Sequence, residues 1–246
     1  MTDDGDLLSI KCESSFLMTE SGQLERQSDP DHSPAPRFSL AGCKSGNWVG
    51  VCFDVTDGVA AEILALAATE PPFVTQDGAP KHLERYIEIL SREAPVSRRS
   101  LGVIYHLPNH LGYAHRVRLI HSESEEGKRL RASLLIGGMP PGLLEMGFRD
   151  ISEFWEPWCV ALHDDGQIAS VAFAARLSDR GADLGVATVQ SLRGRGYAAA
   201  ATAGWTGLPS LQSRALFYST DQTNVSSRRV IARLRLRFIG GSLGLT

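Results

Sequence analysis

The segment from Leu184 to Ala203 constrains this chain more than any other. Its first part, Leu184-Gly185-Val186-Ala187-Thr188-Val189, is apolar and β-branched, as a buried strand is. Its last part, Ala198-Ala199-Ala200-Ala201-Thr202-Ala203, is dominated by the strongest helix former. Between them lies Arg193-Gly194-Arg195-Gly196-Tyr197. A strand, a glycine-bearing turn and a helix start make an anion cradle. The glycines let backbone approach closely, the first helical amides point outward, and the helix dipole stands behind them. Arg193 and Arg195 add positive charge at the same place. Neither a G-x-G-x-x-G fingerprint with a downstream acid nor a Gly-Lys-Ser/Thr ending is present. Over Arg193 to Ala198 alone, a plain strand-to-helix turn with exposed arginines reads the same.

The downstream order separates the two. Ala215-Leu216-Phe217-Tyr218-Ser219-Thr220 is a strand by composition. Asn224-Val225-Ser226-Ser227 follows, then Val230, Ile231 and Leu234 at helical spacing. With Arg193, Gly196 and Ala198 at the defining positions of an R-x-x-G-x-[GA] loop, this order resembles the GNAT superfamily of acyl-CoA-dependent N-acetyltransferases. Pro157-Trp158-Cys159, Gly185-Val186, Trp205 and Tyr218-Ser219-Thr220 are more narrowly similar to a bacterial GNAT group without settled substrates. The resemblance covers residues 114–246. It implies an α/β (α+β) fold: a GNAT-like mixed, mostly antiparallel sheet flanked by helices and splayed where acetyl-CoA inserts, with an N-terminal αβ extension. It also implies acetyl-CoA as cosubstrate, no metal, and acetyl transfer to an amine by direct attack on the thioester.

The chain of 246 residues is expected to divide into a loosely ordered lead-in over 1–36, an αβ region over 37–113 and the transferase-like domain over 114–246. Pro30, Pro34 and Pro36 underlie the first of these. An acidic start, Asp3-Asp4-Gly5-Asp6, and the lack of a long apolar run predict neither signal peptide nor membrane span, so the expected location is cytoplasmic. Cys12, Cys43, Cys52 and Cys159 form no C-x-x-C pair and are expected as reduced thiols.

The implied transfer sets three tasks. Val186, Ala187, Thr188 and Val189 would hold the pantetheine through their backbone, and Arg193, Gly194, Arg195, Gly196, Tyr197 and Ala198 the diphosphate. Asn224 and Ser227 would open the helix that flanks the cofactor. A base must take a proton from the acceptor ammonium, which holds little free amine at neutral pH. Asp183 and Glu156 are the candidates, although each also reads as a solvated strand-end carboxylate. Many GNAT members carry a tyrosine seven residues after the motif asparagine as the acid for the departing thiolate. Ile231 stands there, so Tyr218 is the nearest alternative. Related sequences often have an acidic residue where this chain has Ala187, which leaves a water chain as a substitute base. The family's Gly-Phe at the helix end is replaced by Arg235-Leu236, so the helix is expected to run on toward Gly240-Gly241.

Arg228, Arg229, Arg233, Arg235 and Arg237 give that helix an exposed basic face or a hold on the phosphates of CoA. RNA binding would use such a cluster too, but a net charge of −3 and no interleaved aromatics argue against nucleic acid. Cys159 could carry an acyl group, yet its apolar strand reads as a burial site. Trp155, Trp158 and Trp205 suit an acceptor pocket or a core equally. The acceptor stays open between a small molecule and a peptide or protein amine. Exposed sheet edges would admit a homodimer. A catalytically degenerate acyl-CoA-binding regulator is the competing reading, which Ile231 and Ala187 allow.

Overall fold

Asp3 starts the first helix by accepting the Asp6 amide on its carboxylate at 2.9 Å. The helix, α1 (Asp4–Glu13), turns Leu7, Leu8 and Cys12 inward. β1 (Phe16–Met18) and β2 (Leu24–Gln27) then pair as an antiparallel hairpin. The computed structural model describes residues 3–113 and 116–246, and over residues 3–36 it therefore replaces the loose lead-in with a packed helix and hairpin. The prolines break structure only locally.

β3 (Phe38–Cys43), β4 (Gly46–Val51), α2 (Asp57–Ala67), α3 (Leu83–Ser91) and β5 (Arg99–Leu107) follow. Next come β6 (Leu119–His121), α4 (Glu125–Gly137), α5 (Pro141–Glu145), β7 (Trp158–Leu162), β8 (Ile168–Leu177) and β9 (Gly181–Thr188). The chain ends with α6 (Tyr197–Thr206), β10 (Ala215–Asp221), α7 (Val225–Leu234) and β11 (Arg237–Leu245). The fold is mixed α/β, its strand pairs mostly antiparallel. Two compact units share the chain. One holds Met1–His106, Ser219–Ser227 and Arg237–Thr246, and the other Leu107–Tyr218 and Arg228–Leu236. Residue 114, where the sequence predicts the junction, lies outside the described residues. The division falls instead after His106, and the first unit recovers two later segments.

In the first unit the strands run β4-β3-β11-β5, all antiparallel, over a core that includes Phe38, Leu40, Ile63, Tyr86 and Leu90. Buried Glu70 accepts the Lys81 and His82 amides and the Tyr86 hydroxyl, which supplies the cap that His82 does not give α3. Gly240 and Gly241 belong to β11, not to a helix end. A side chain at Gly240 would stand 1.6 Å from the Gly42 carbonyl oxygen, so the glycine serves close strand approach. α7 stops at Leu234, where the Leu236 amide reaches back to the Ile231 carbonyl and Arg235 takes φ 53°. Arg235 and Arg237 thus leave the basic helix, and Arg237 pairs with Asp4.

In the second unit the order is β10-β9-β8-β7-β6, with β9–β10 parallel and the other pairs antiparallel. Trp158, Val160, Val171 and Phe173 face α4, α5 and the turn Ile151–Glu153. α6 covers the opposite face. A side chain at Gly204 would meet the Cys159 sulfur at 2.7 Å, so glycine and the buried Ala199, Ala200 and Ala201 set the close helix–sheet spacing. Ser124 caps α4 by accepting the Gly127 amide, and Gly138 ends it at φ 75°.

Candidate functional site

β9 is bonded along both edges only at its start. Gly181, Ala182 and Asp183 pair with Ala215, Leu216 and Phe217 of β10, and the register goes no further. On the other edge β9 pairs with β8 as far as Thr188. Burial follows the pairing: Gly181 to Leu184 are buried, and Gly185 to Thr188 only partly so. The Val189 amide donates to Ala169 at 3.0 Å, which fixes the alternation. Gly185 and Ala187 aim their backbone groups at β8, while those of Val186 and Thr188, beyond the last β10 pair, point to the open edge. Strand backbone with an open edge takes extended amide ligands.

Past this edge the chain makes a short 3-10 turn, Gln190–Leu192, whose first amide donates to the Glu145 carboxylate of α5 at 2.7 Å. Arg193 folds back and its Nε donates to the Thr188 carbonyl at 3.3 Å, tying the loop to the strand end. Gly194 and Gly196 then take φ 79° and 97°, the left-handed region that side chains resist. Gly196 is the N-cap of α6 and offers no capping side chain. The amides of residues 196–199 therefore have neither an intrahelical nor a capping acceptor, and they converge at the positive end of the helix dipole.

Two side chains not singled out for this loop meet it. A Cβ on Gly196 would lie 3.0 Å from Arg233 Nη1 and 3.2 Å from the Tyr113 hydroxyl. Of the five C-terminal arginines, Arg233 is the one this geometry brings to the loop. No ion pair among the described residues involves Arg193, Arg195 or Arg233. All three arginines are exposed, and their charge adds to that of the uncapped helix N-terminus, which favours an anion there.

Asp183 is buried at the last β9–β10 pair, and Gly185 and Ala187 follow it on the same strand face, the one packed by α4 and α5. Phe173 fills the space a side chain at Gly185 would take, its ring 2.4 Å from that position, with Trp155 and Phe148 edge-on against it. Tyr218 is buried one residue past the point where β10 parts from β9. Glu156 is exposed and paired with Arg131 of α4. Tyr197 is buried, its hydroxyl bonded to His163 Nδ1, so its backbone amide is what it offers the cradle. Ala198 supplies a further amide. Asn224 and Ser227 lie in the first unit's segment, where Asn224 Oδ1 accepts the Ser227 amide and caps α7. Trp158 and Trp205 are core, and the Trp205 indole donates to the Pro157 carbonyl at 2.8 Å. Burial pushes the Cys159 thiol up to about 12, which leaves it without nucleophilic thiolate at neutral pH. Among the described residues no helix is long and apolar enough to cross a membrane, and no group of three potential ligands could hold a metal ion.

No protein-family model matches the chain, and no curated protein matches it. Solved structures do. An acetyltransferase of the GNAT family from Colwellia psychrerythraea is 16% identical, with 80% of this chain and 75% of that one covered at a TM-score of 0.42. A GCN5-related N-acetyltransferase-like protein from Streptococcus suis is 16% identical over 89% and 86%, at 0.41. A GCN5-related N-acetyltransferase from Sphaerobacter thermophilus is 12% identical over 92% and 82%, at 0.44. At this level of similarity those names assign no activity or substrate to this chain.

Proposed function

We propose that the second unit binds acetyl-CoA and transfers its acetyl group to an amine, in the manner of GNAT acetyltransferases. The observation that carries the reading is the join between the open edge of β9 and the glycine cradle at the start of α6, with Arg233 beside it. Acetyl-CoA supplies an activated thioester, two amides along its pantetheine arm and a diphosphate. The backbone groups of Val186 and Thr188 on the open edge suit the amides, and the amides of residues 196–199 suit the diphosphate. Arg195 and Arg233 add charge, while Arg193 holds the loop against Thr188. Asp183 stands where the strands part and is the carboxylate proposed to accept the acceptor's proton, and Tyr218, one residue past the last pair on the neighbouring strand, is the hydroxyl proposed for the departing thiolate. Holding acceptor and thioester together supplies much of the acceleration. The acceptor approaches from the α4–α5 side, where Trp155 and Phe173 stay partly open and Leu135, Ile136 and Leu144 are exposed.

The reading is tested by the two arginines that have no part in the loop's own bonding. Replacing Arg195 and Arg233 together by alanine is expected to weaken acetyl-CoA binding about tenfold or more, with the loss shrinking as salt rises. Titration calorimetry of wild type and variant at low and high salt measures it. Equal affinity in both proteins would remove the charged cradle from the account.

A further inference from the structure

We infer that His163 is a positioning residue for the cofactor loop, acting through Tyr197. The inference rests on the acetyl-CoA reading above. An α6 that begins at Gly196 has no side chain to fix its first turn. Among the described residues, the bond between the Tyr197 hydroxyl and His163 Nδ1, 2.7 Å long, is the one side-chain hydrogen bond made by residues 194–199. The two rings also meet edge-on, with centroids 5.9 Å apart at 88°. Tyr197 is the first residue of the helix, so its ring sets the direction in which the neighbouring amides face.

His163 is well mounted for this task. It directly follows β7, and the turn beyond it is closed at three points. The His163 amide donates to the Gln167 carbonyl at 2.8 Å and the Gly166 amide to the His163 carbonyl at 2.9 Å. The Gln167 amide donates to the Asp165 carboxylate, also at 2.9 Å. Gly166 takes φ 85°, as a tight hairpin of this kind requires. The imidazole therefore stands on a rigid β-turn and holds the one buried ring whose backbone opens the cradle. Either tautomer keeps the bond, since a hydroxyl can donate or accept.

Three variants separate positioning from plain packing. Tyr197→Phe keeps the ring and removes the hydroxyl. His163→Leu removes the partner, and His163→Asn keeps a hydrogen-bonding group near the Nδ1 position. Affinity for CoA by titration calorimetry is expected to fall about fivefold in Tyr197→Phe and in His163→Leu, the worth of one hydrogen bond. The double variant should lose no more than either single one, because both remove the same bond. His163→Asn should recover most of the affinity. Amide hydrogen exchange at residues 200–203, the first hydrogen-bonded amides of α6, measured without ligand, should quicken in Tyr197→Phe and His163→Leu and stay near wild type in His163→Asn. CoA affinity unchanged in both disrupting variants, or losses that simply add, overturns the inference. Wild type that binds no CoA overturns the acetyl-CoA reading instead. The exchange rates then decide the positioning on their own: no change on Tyr197→Phe ends it.

Discussion

Gly196→Val is expected to cost about 2 kcal/mol of stability, from a β-branched residue held at positive φ. Acetyl-CoA binding is expected to fall at least ~100-fold, because the loss combines several charge-assisted bonds. The two effects have separate causes. The φ of 97° is strained for any side chain whatever surrounds it. The Cβ would also press on Arg233 Nη1 at 3.0 Å and the Tyr113 hydroxyl at 3.2 Å, pushing away the cation that faces the ligand. Gly194→Ala is the control. Gly194 has φ 79° but open space around its Cβ, so its substitution carries strain without the collision. Thermal unfolding and calorimetry on both variants check this: comparable stability losses, with the affinity loss concentrated at Gly196. Wild-type affinity in Gly196→Val would show that the ligand lies elsewhere.

Gly185→Ala is the second large effect, and it acts on the strand edge. The methyl would overlap the Phe173 ring, 2.4 Å away, and that ring is wedged between Trp155 and Phe148. Overpacking of this kind costs about 2 kcal/mol. The cost should fall below half in a Phe173→Leu background, where the ring edge is gone and the two sites couple. Denaturant unfolding of the four proteins of the cycle reads it directly. Strictly additive losses would mean that Phe173 does not fill the space over Gly185. Acetyl-CoA affinity should drop with Gly185→Ala alone, because relief of the clash shifts β9 at the start of its open edge.

How far this was legible in the sequence differs from element to element. The strand over Leu184–Val189 and the helix after Gly196 were readable because local chemistry decides them: β-branched residues, two glycines, a run of alanines. The Asp165-Gly166 pair is a local turn signal of the same kind, and Gly166 takes φ 85° in the hairpin. The parting of β9 from β10 after three pairs was not. Pairing is set by partners distant in sequence, and nothing in Leu184 or Tyr218 marks where it stops. Arg233 was one of five equivalent arginines until α7 ended at Leu234 and the loop's neighbour became distinct. His163 carried no signal at all, since its partner is 34 residues away. Two signals were available and outweighed. Leu7, Leu8 and Cys12 are spaced for a helix behind a capping Asp3, while Pro30, Pro34 and Pro36 mark irregular chain only after it. Gly240-Gly241 resembles a helix stop, whereas its cause is the approach of Gly42 and Phe73 to β11.

Amide hydrogen exchange of the intact chain with and without saturating acetyl-CoA is the most direct test of the central claim. Protection is expected in two places, at Val186 and Thr188 on the open edge of β9 and at Gly194 to Ala199 in the cradle, with little change in the first unit's strands. Protection that misses both segments, or no protection anywhere, would contradict it.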